Sequence, residues 1–185
     1  MARDGYRWWL DRIRASLGLF DAVRIDHFRG FESYYAIPYG EVTARNGKWV
    51  KGPGKGLIAA IKQSFPNVQI IAEDLGFLTQ EVKELLSYSG FPGMKIIQFA
   101  FDSREKSDYI PFKYSRNCVV YTGTHDNETT LGWIESVSAE SLQYAKSYLM
   151  CEDADKDRCV DLLITLALSS AADWAVIPMQ DWLHL

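Results

Sequence analysis

Three acidic residues in this chain stand at or shortly beyond the carboxyl end of a short apolar run. Asp26 closes Ala22-Val-Arg-Ile-Asp26 and is followed by His27; Glu73 closes Ile70-Ile-Ala-Glu73 and is followed by Asp74; Asp126 comes just after Tyr121-Thr-Gly-Thr-His125. Two carboxyl groups held about 5 to 5.5 Å apart can open a glycosidic bond with retention: one attacks the anomeric carbon while the other, protonated, hands its proton to the leaving oxygen. A third acid nearby can stabilise the oxocarbenium-like centre electrostatically. Arg24 shares a strand face with Asp26, two residues away, and so can balance the charge of the attacking carboxylate. His125 offers a donor to a sugar hydroxyl. Taken singly, each acid has a plainer reading, as a helix N-cap or turn residue whose oxygen satisfies free backbone N–H groups. Three in succession, each beside another polar group, weigh against that reading.

Other chemistries find less support. Histidines and carboxylates at strand ends can hold a divalent metal, but His27, His125 and His184 include no pair at H-E-x-x-H spacing, so neither a metal nor another cofactor is expected. No G-x-S-x-G elbow occurs, and none of Cys118, Cys151 and Cys159 adjoins a histidine, which leaves a serine or cysteine nucleophile unsupported. Gly52-Pro-Gly54-Lys-Gly56 fits neither the Rossmann nor the P-loop spacing and reads as a turn leading into a helix.

The elements that must position the acids follow from the alternation of apolar runs with helical patterns. Trp9, Ile13 and Leu17 predict an opening helix that Gly18 stops, and Ala22 to Asp26 a strand. A long loop rich in aromatics, 28–56, leads to a helix over about 57–65 that Pro66 closes. Strands are predicted at 68–72, 94–101, 118–121 and 175–179. Helices are predicted from Thr79 to about Tyr88, from Ser138 to about Met150, and over about 155–172. Five nearly continuous apolar strands separated by helices describe an α/β protein with a parallel sheet covered on both faces. A (β/α)8 TIM barrel needs eight strands in about 250 residues and carries its active site at their carboxyl ends. With five strands in 185 residues the chain reads as one domain holding a partial barrel.

Composition limits the partners. Charged residues make up 24% with a formal net charge of -4, and no block of like charge suits nucleic acid or a membrane surface, so a neutral polar substrate fits. The aromatic share of 14% serves sugar stacking or an ordinary core equally. The longest apolar stretch, around Leu162 to Ala172, falls short of the ~20 residues of a membrane span. Three cysteines, an odd number with no C-x-x-C pair, point to a reducing compartment: the cytoplasm by default, or a plastid for a plant protein.

At the same residues the chain resembles the amylomaltases, also called disproportionating enzymes or 4-alpha-glucanotransferases, of the alpha-amylase clan. The resemblance rests on Phe20-Asp-Ala-Val-Arg-Ile-Asp-His-Phe-Arg-Gly30, Trp49-Val-Lys-Gly-Pro-Gly54, Ile71-Ala-Glu-Asp-Leu-Gly76, Gly93-Met-Lys95 running into Gln98-Phe-Ala-Phe-Asp102, and Gly123-Thr-His-Asp-Asn-Glu-Thr129. It implies Asp26 as nucleophile, Glu73 as acid/base and Asp126 as transition-state stabiliser. Arg24 and His125 become sugar-binding residues, and Asp102 a contact to a neighbouring glucose. The implied reaction transfers alpha-1,4-glucan segments between malto-oligosaccharides through a covalent glycosyl-aspartate. Hydrolysis by a related enzyme and an inactive glucan-binding fragment are the alternatives. The strands correspond to about the fourth to eighth of the family barrel. On that footing residues 1–185 are expected to be the C-terminal part of a catalytic barrel domain and a fragment of a longer protein, inactive in isolation.

Overall fold

Trp9, Ile13 and Leu17 put one apolar residue on each successive turn of the first helix, α1 (Arg7–Leu17), where Ile13 is buried and Trp9 and Leu17 pack beside it. The computed structural model describes residues 1–104 and 107–185, which divide into two units, Met1–Gly93 and Met94–Leu185.

In the first unit α1 leads into β1 (Ala22–Ile25), which pairs in parallel with β4 (Gln69–Ala72), Ile25 facing Ala72. Between them lie β2 (Ser33–Ala36), β3 (Lys48–Lys51) and the helix α2 (Gly54–Ser64). Leu57, Ile58 and Ile61 on α2 are fully buried and join Ile13, Phe28, Phe31, Ile70 and Leu85 in one core. Each such side chain contributes on the order of 2 kcal/mol. The helix α3 (Gln80–Ser89) buries Val82 and Leu85 and ends on Gly90, whose φ of 70° is the left-handed close that glycine adopts freely. Thr79 stands at the N-cap of α3 as expected, but its side chain makes no capping hydrogen bond.

The second unit opens with β5 (Gly93–Ile96), whose first residue closes the first unit, and sets β6 (Cys118–Tyr121) between β5 and β7 (Trp174–Val176), β6 and β7 being parallel. Three helices carry side-chain caps, one of them, over Thr130–Ser136, in a segment for which the sequence predicted no helix. Thr129 accepts from Gly132 N at the start of α4 (Thr130–Ser136), Ser138 from Ser141 N at α5 (Ala139–Tyr148), and Asp155 from Arg158 N at α6 (Lys156–Leu168). A single-turn helix, α7 (Met179–Trp182), follows β7. Phe101, Val120, Val160, Leu163 and Ile164 lie at the centre of this unit's core.

Four expectations change. The predicted loop 28–56 contains an antiparallel ribbon, β2 with β3, in which Tyr35 faces Trp49. The run 94–101 is a strand only to Ile96; Ile97–Phe101 tightens into a 3-10 turn that buries four of its five side chains. The strand predicted at 175–179 ends at Val176, and the helix predicted to residue 172 ends at Leu168. Gly52 is explained by packing: a Cβ there would collide with the Phe31 carbonyl oxygen, so the glycine lets β3 leave the ribbon.

Candidate active site

Parallel pairing brings the carboxyl ends of β1 and β4 to one edge, and Asp26 and Glu73 are the next residue on each strand. The ladder continues past the strand ends, with Glu73 N donating to Ile25 O and Phe28 N donating to Glu73 O, both at 2.9 Å. The chain then turns sharply. His27 adopts φ 49°, ψ 54°, a left-handed conformation that costs a residue with a Cβ about 1–2 kcal/mol. Its N–H donates to Glu73 Oε2 at 2.6 Å, while Glu73 Oε1 accepts from Leu75 N at 2.8 Å. Both oxygens of this half-buried side chain are thus oriented by backbone donors, through charge-assisted bonds when Glu73 is ionised. Arg24 and Asp26 do meet: Arg24 Nη2 donates to Asp26 Oδ1 at 2.7 Å, with the Asp26 side chain 77% exposed at the edge.

Beyond this edge, Arg29 stacks its guanidinium 4.6 Å over the Trp49 ring and donates to Phe77 O at 2.9 Å, fixing the ribbon to the segment after β4. A cavity of about 260 Å³ opens there, lined by Arg29, Glu32, Trp49, Lys51 and Glu81 among others, and not by Asp26 or Glu73. Lys51 pairs with Glu32 and holds its carboxyl below the usual range.

In the second unit the loop after β6 carries His125 and Asp126. Asn127 closes a tight turn around them, its Oδ1 accepting from Thr124 N at 2.9 Å and Thr124 Oγ1 at 2.8 Å, while Asn127 N donates to Thr124 O at 3.1 Å. His125 Nε2 lies 3.3 Å from Asp126 Oδ1, and both side chains are exposed at the turn's apex. Gln98, buried in the turn after β5, receives none of this exposure: its Nε2 donates to Glu128 O at 2.9 Å and its backbone N to Thr122 O at 3.3 Å. Asp102 is engaged by Arg104, with Nε at 2.8 Å and the backbone N at 2.9 Å on Oδ1, and Nη2 at 2.6 Å on Oδ2. These bonds hold its carboxyl at a pKa of about 2.

Two residues in this arrangement were given no role from the sequence. Asp181 accepts from Thr130 N at 2.7 Å and from the Thr122 hydroxyl, across 51 and 59 residues. Gln98 appears in the sequence only as part of a motif. Of the histidines, His184 sits between Asp157 (3.4 Å) and Asp161 (3.1 Å) on α6. Among the described residues no three His, Cys, Asp or Glu side chains come together as a metal-binding group, and no helix is long and apolar enough to cross a membrane.

The family model described as 4-alpha-glucanotransferase matches residues 1–185. The chain is 47% identical over 186 aligned residues to a 4-alpha-glucanotransferase of Clostridium butyricum, covering all of this chain and 38% of that protein. It is 48% identical to one of Synechocystis, covering 98% of this chain and 36% of that protein. Among solved structures it superposes on the amylomaltase from Streptococcus agalactiae in complex with acarbose, with a TM-score of 0.91 and 35% identity, over 99% of this chain and 37% of that one. The chain therefore spans little more than a third of the length of these relatives.

Proposed function

The chain belongs to the 4-alpha-glucanotransferase family and has an α/β fold, and from that premise we propose that it carries the catalytic acids of a retaining 4-alpha-glucanotransferase acting on malto-oligosaccharides and alpha-1,4-glucans. Asp26 attacks the anomeric carbon, forming a C1–Oδ bond as the glycosidic C1–O bond breaks, and Glu73 gives its proton to the departing oxygen. In the second half the Glu73 carboxylate takes the proton of an acceptor sugar hydroxyl, whose oxygen displaces Asp26 from C1. Asp126 stabilises the positive charge that develops at the ring in both halves. Arg24 and His125 bind sugar and orient the acids, and Asp102 contacts a neighbouring glucose.

The observation that carries this reading is the common departure of Asp26 and Glu73 from one edge of a parallel strand pair, with the turn after Asp26 tied to the Glu73 carboxylate at 2.6 Å. A pair of acids so connected has the mutual rigidity that double displacement requires. No metal or organic cofactor enters these steps.

In this reading the seven strands among the described residues comprise about strands 4 to 8 of a (β/α)8 barrel plus the β2–β3 ribbon, and residues 1–185 form the C-terminal part of the catalytic barrel domain. All three residues of β7, including Trp174 and Val176, are exposed, as at a sheet edge awaiting a neighbour. Three free cysteines suit a reducing compartment, the cytoplasm or a plastid.

The test is product analysis with maltotriose and the full-length protein. Glucose appearing together with longer oligosaccharides is the expected result. Release of only shorter sugars would assign hydrolysis, and no turnover by a folded full-length protein would leave a glucan-binding role.

A further inference from the structure

The loop that presents His125 and Asp126 has two feet, Thr122 at the end of β6 and Thr130 at the start of α4, and one buried carboxylate holds both. Asp181 is 1% exposed; its Oδ1 accepts the Thr130 N–H at 2.7 Å and its Oδ2 accepts the Thr122 hydroxyl. Thr122 and Thr130 are themselves 0% and 1% exposed, so water cannot replace either bond. A charged acceptor out of contact with water is costly unless its partners are in place. That cost makes the geometry of the two feet stiff: any displacement of either threonine leaves part of a buried carboxylate unpaired. Gln98 braces the same frame from the other side, through Thr122 O and Glu128 O. Within the frame, the Thr124–Asn127 turn sets the apex.

We propose that Asp181 is a positioning residue for glycosyl transfer, fixing the loop that carries Asp126 without itself touching substrate. The inference rests on the assignment of Asp126 as transition-state stabiliser. A stabilising carboxylate acts by being in place before charge develops, so loosening its loop by about an ångström lowers turnover with little effect on ground-state sugar binding.

The experiment uses the full-length protein with maltotriose, comparing Asp181→Ala, Asp181→Asn and Thr122→Val, with folding followed by near-UV circular dichroism. Asp181→Ala is expected to lower kcat by about 100-fold while KM stays within about threefold. Asp181→Asn keeps an oxygen for Thr130 N and offers an amide N–H to the Thr122 oxygen, so it should recover turnover to within about tenfold of the parent. The pH profile of kcat should keep its shape in all variants, because Asp181 exchanges no proton with substrate. A folded Asp181→Ala protein with parental kcat, or one whose loss lies in KM, would overturn the proposal. If Asp181→Ala does not fold, Thr122→Val decides: a fall in kcat of about tenfold at unchanged KM supports the inference, and parental kinetics refute it. Asp126→Ala separates the two layers. Activity retained there refutes the role of Asp126 itself, whereas an inactive Asp126→Ala beside a fully active Asp181→Ala refutes the positioning role alone.

Discussion

Glu73 Oε2 accepts the backbone N–H of His27 at 2.6 Å, so the carboxylate of one strand end fixes the chain turn that follows Asp26 on the next. Because His27 is in the left-handed region, this bond offsets a conformation that the side chain would otherwise resist. Glu73→Gln can keep the contact through its amide oxygen while losing the proton. Turnover of maltotriose by the full-length protein should then fall by about 10² to 10⁴-fold with the fold intact. With alpha-glucosyl fluoride, whose leaving group needs no proton, covalent labelling of Asp26 should survive in this variant and vanish in Asp26→Asn. Equal loss of labelling in both would argue against the acid role.

Arg24 donates to Asp26 at 2.7 Å, yet the carboxylate is mostly exposed, so the pair adds at most about 1 kcal/mol to stability. Its effect is expected in catalysis. Arg24→Ala should leave the thermal midpoint nearly unchanged and reduce kcat/KM by about 10 to 100-fold, and Arg24→Lys should recover only part, because an ammonium lacks the planar fork of the guanidinium. Parallel melting curves and steady-state kinetics measure the two effects separately.

Arg104 holds the Asp102 carboxyl at about 2, well below its ordinary 3.8. A depressed folded pKa contributes stability above the unfolded value, and that contribution is lost as pH falls from about 4 through about 2. Carbon-detected NMR titration of the Asp102 side chain should give a midpoint near the lower value, rising toward the ordinary one in Arg104→Ala. Added salt should shrink the difference, since Arg104 is exposed to solvent. A midpoint that does not move in Arg104→Ala would assign the shift to another neighbour.

Because the proposed steps use only carboxylates, dialysis against a strong chelator should leave transfer by the full-length protein unchanged. Activity lost on chelation and restored by a divalent ion would require a metal among the strand-end acids and histidines instead.

The 185-residue chain by itself is expected to give no longer oligosaccharides from maltotriose. In the barrel reading the edge of β7 away from β6 calls for a further strand, and the exposed apolar Trp174 and Val176 favour association. Light scattering and product analysis on the isolated chain check this; a monomer with robust turnover would contradict the barrel reading.

Much of this molecule is legible in its sequence. Three strands, β1, β4 and β6, lie where apolar runs of β-branched residues predicted them, β7 shares only Ala175 and Val176 with its predicted run, and the caps Ser138 and Asp155 do what their residue types allow. Such features depend on neighbours within a few residues, and so residue type and spacing suffice to read them. The ribbon leaves no sequence signature because Ser33-Tyr-Tyr-Ala36 lacks the alternation of a half-buried strand, both tyrosines being exposed. The strand predicted through residue 101 was cut short at Ile96 because Gln98 turns inward to reach Thr122 and Glu128.

The order of the chain alone determined the α/β pattern, the motifs, and the placement of an acid after each of three apolar runs. Tertiary structure alone decided that the Glu73 carboxylate holds the His27 turn and that Asp181 ties both feet of the Asp126 loop. Those bonds join residues 46, 51 and 59 positions apart. At such separations the entropy of closing the loop is recovered only through packing of the whole unit, so no local pattern encodes the pairing.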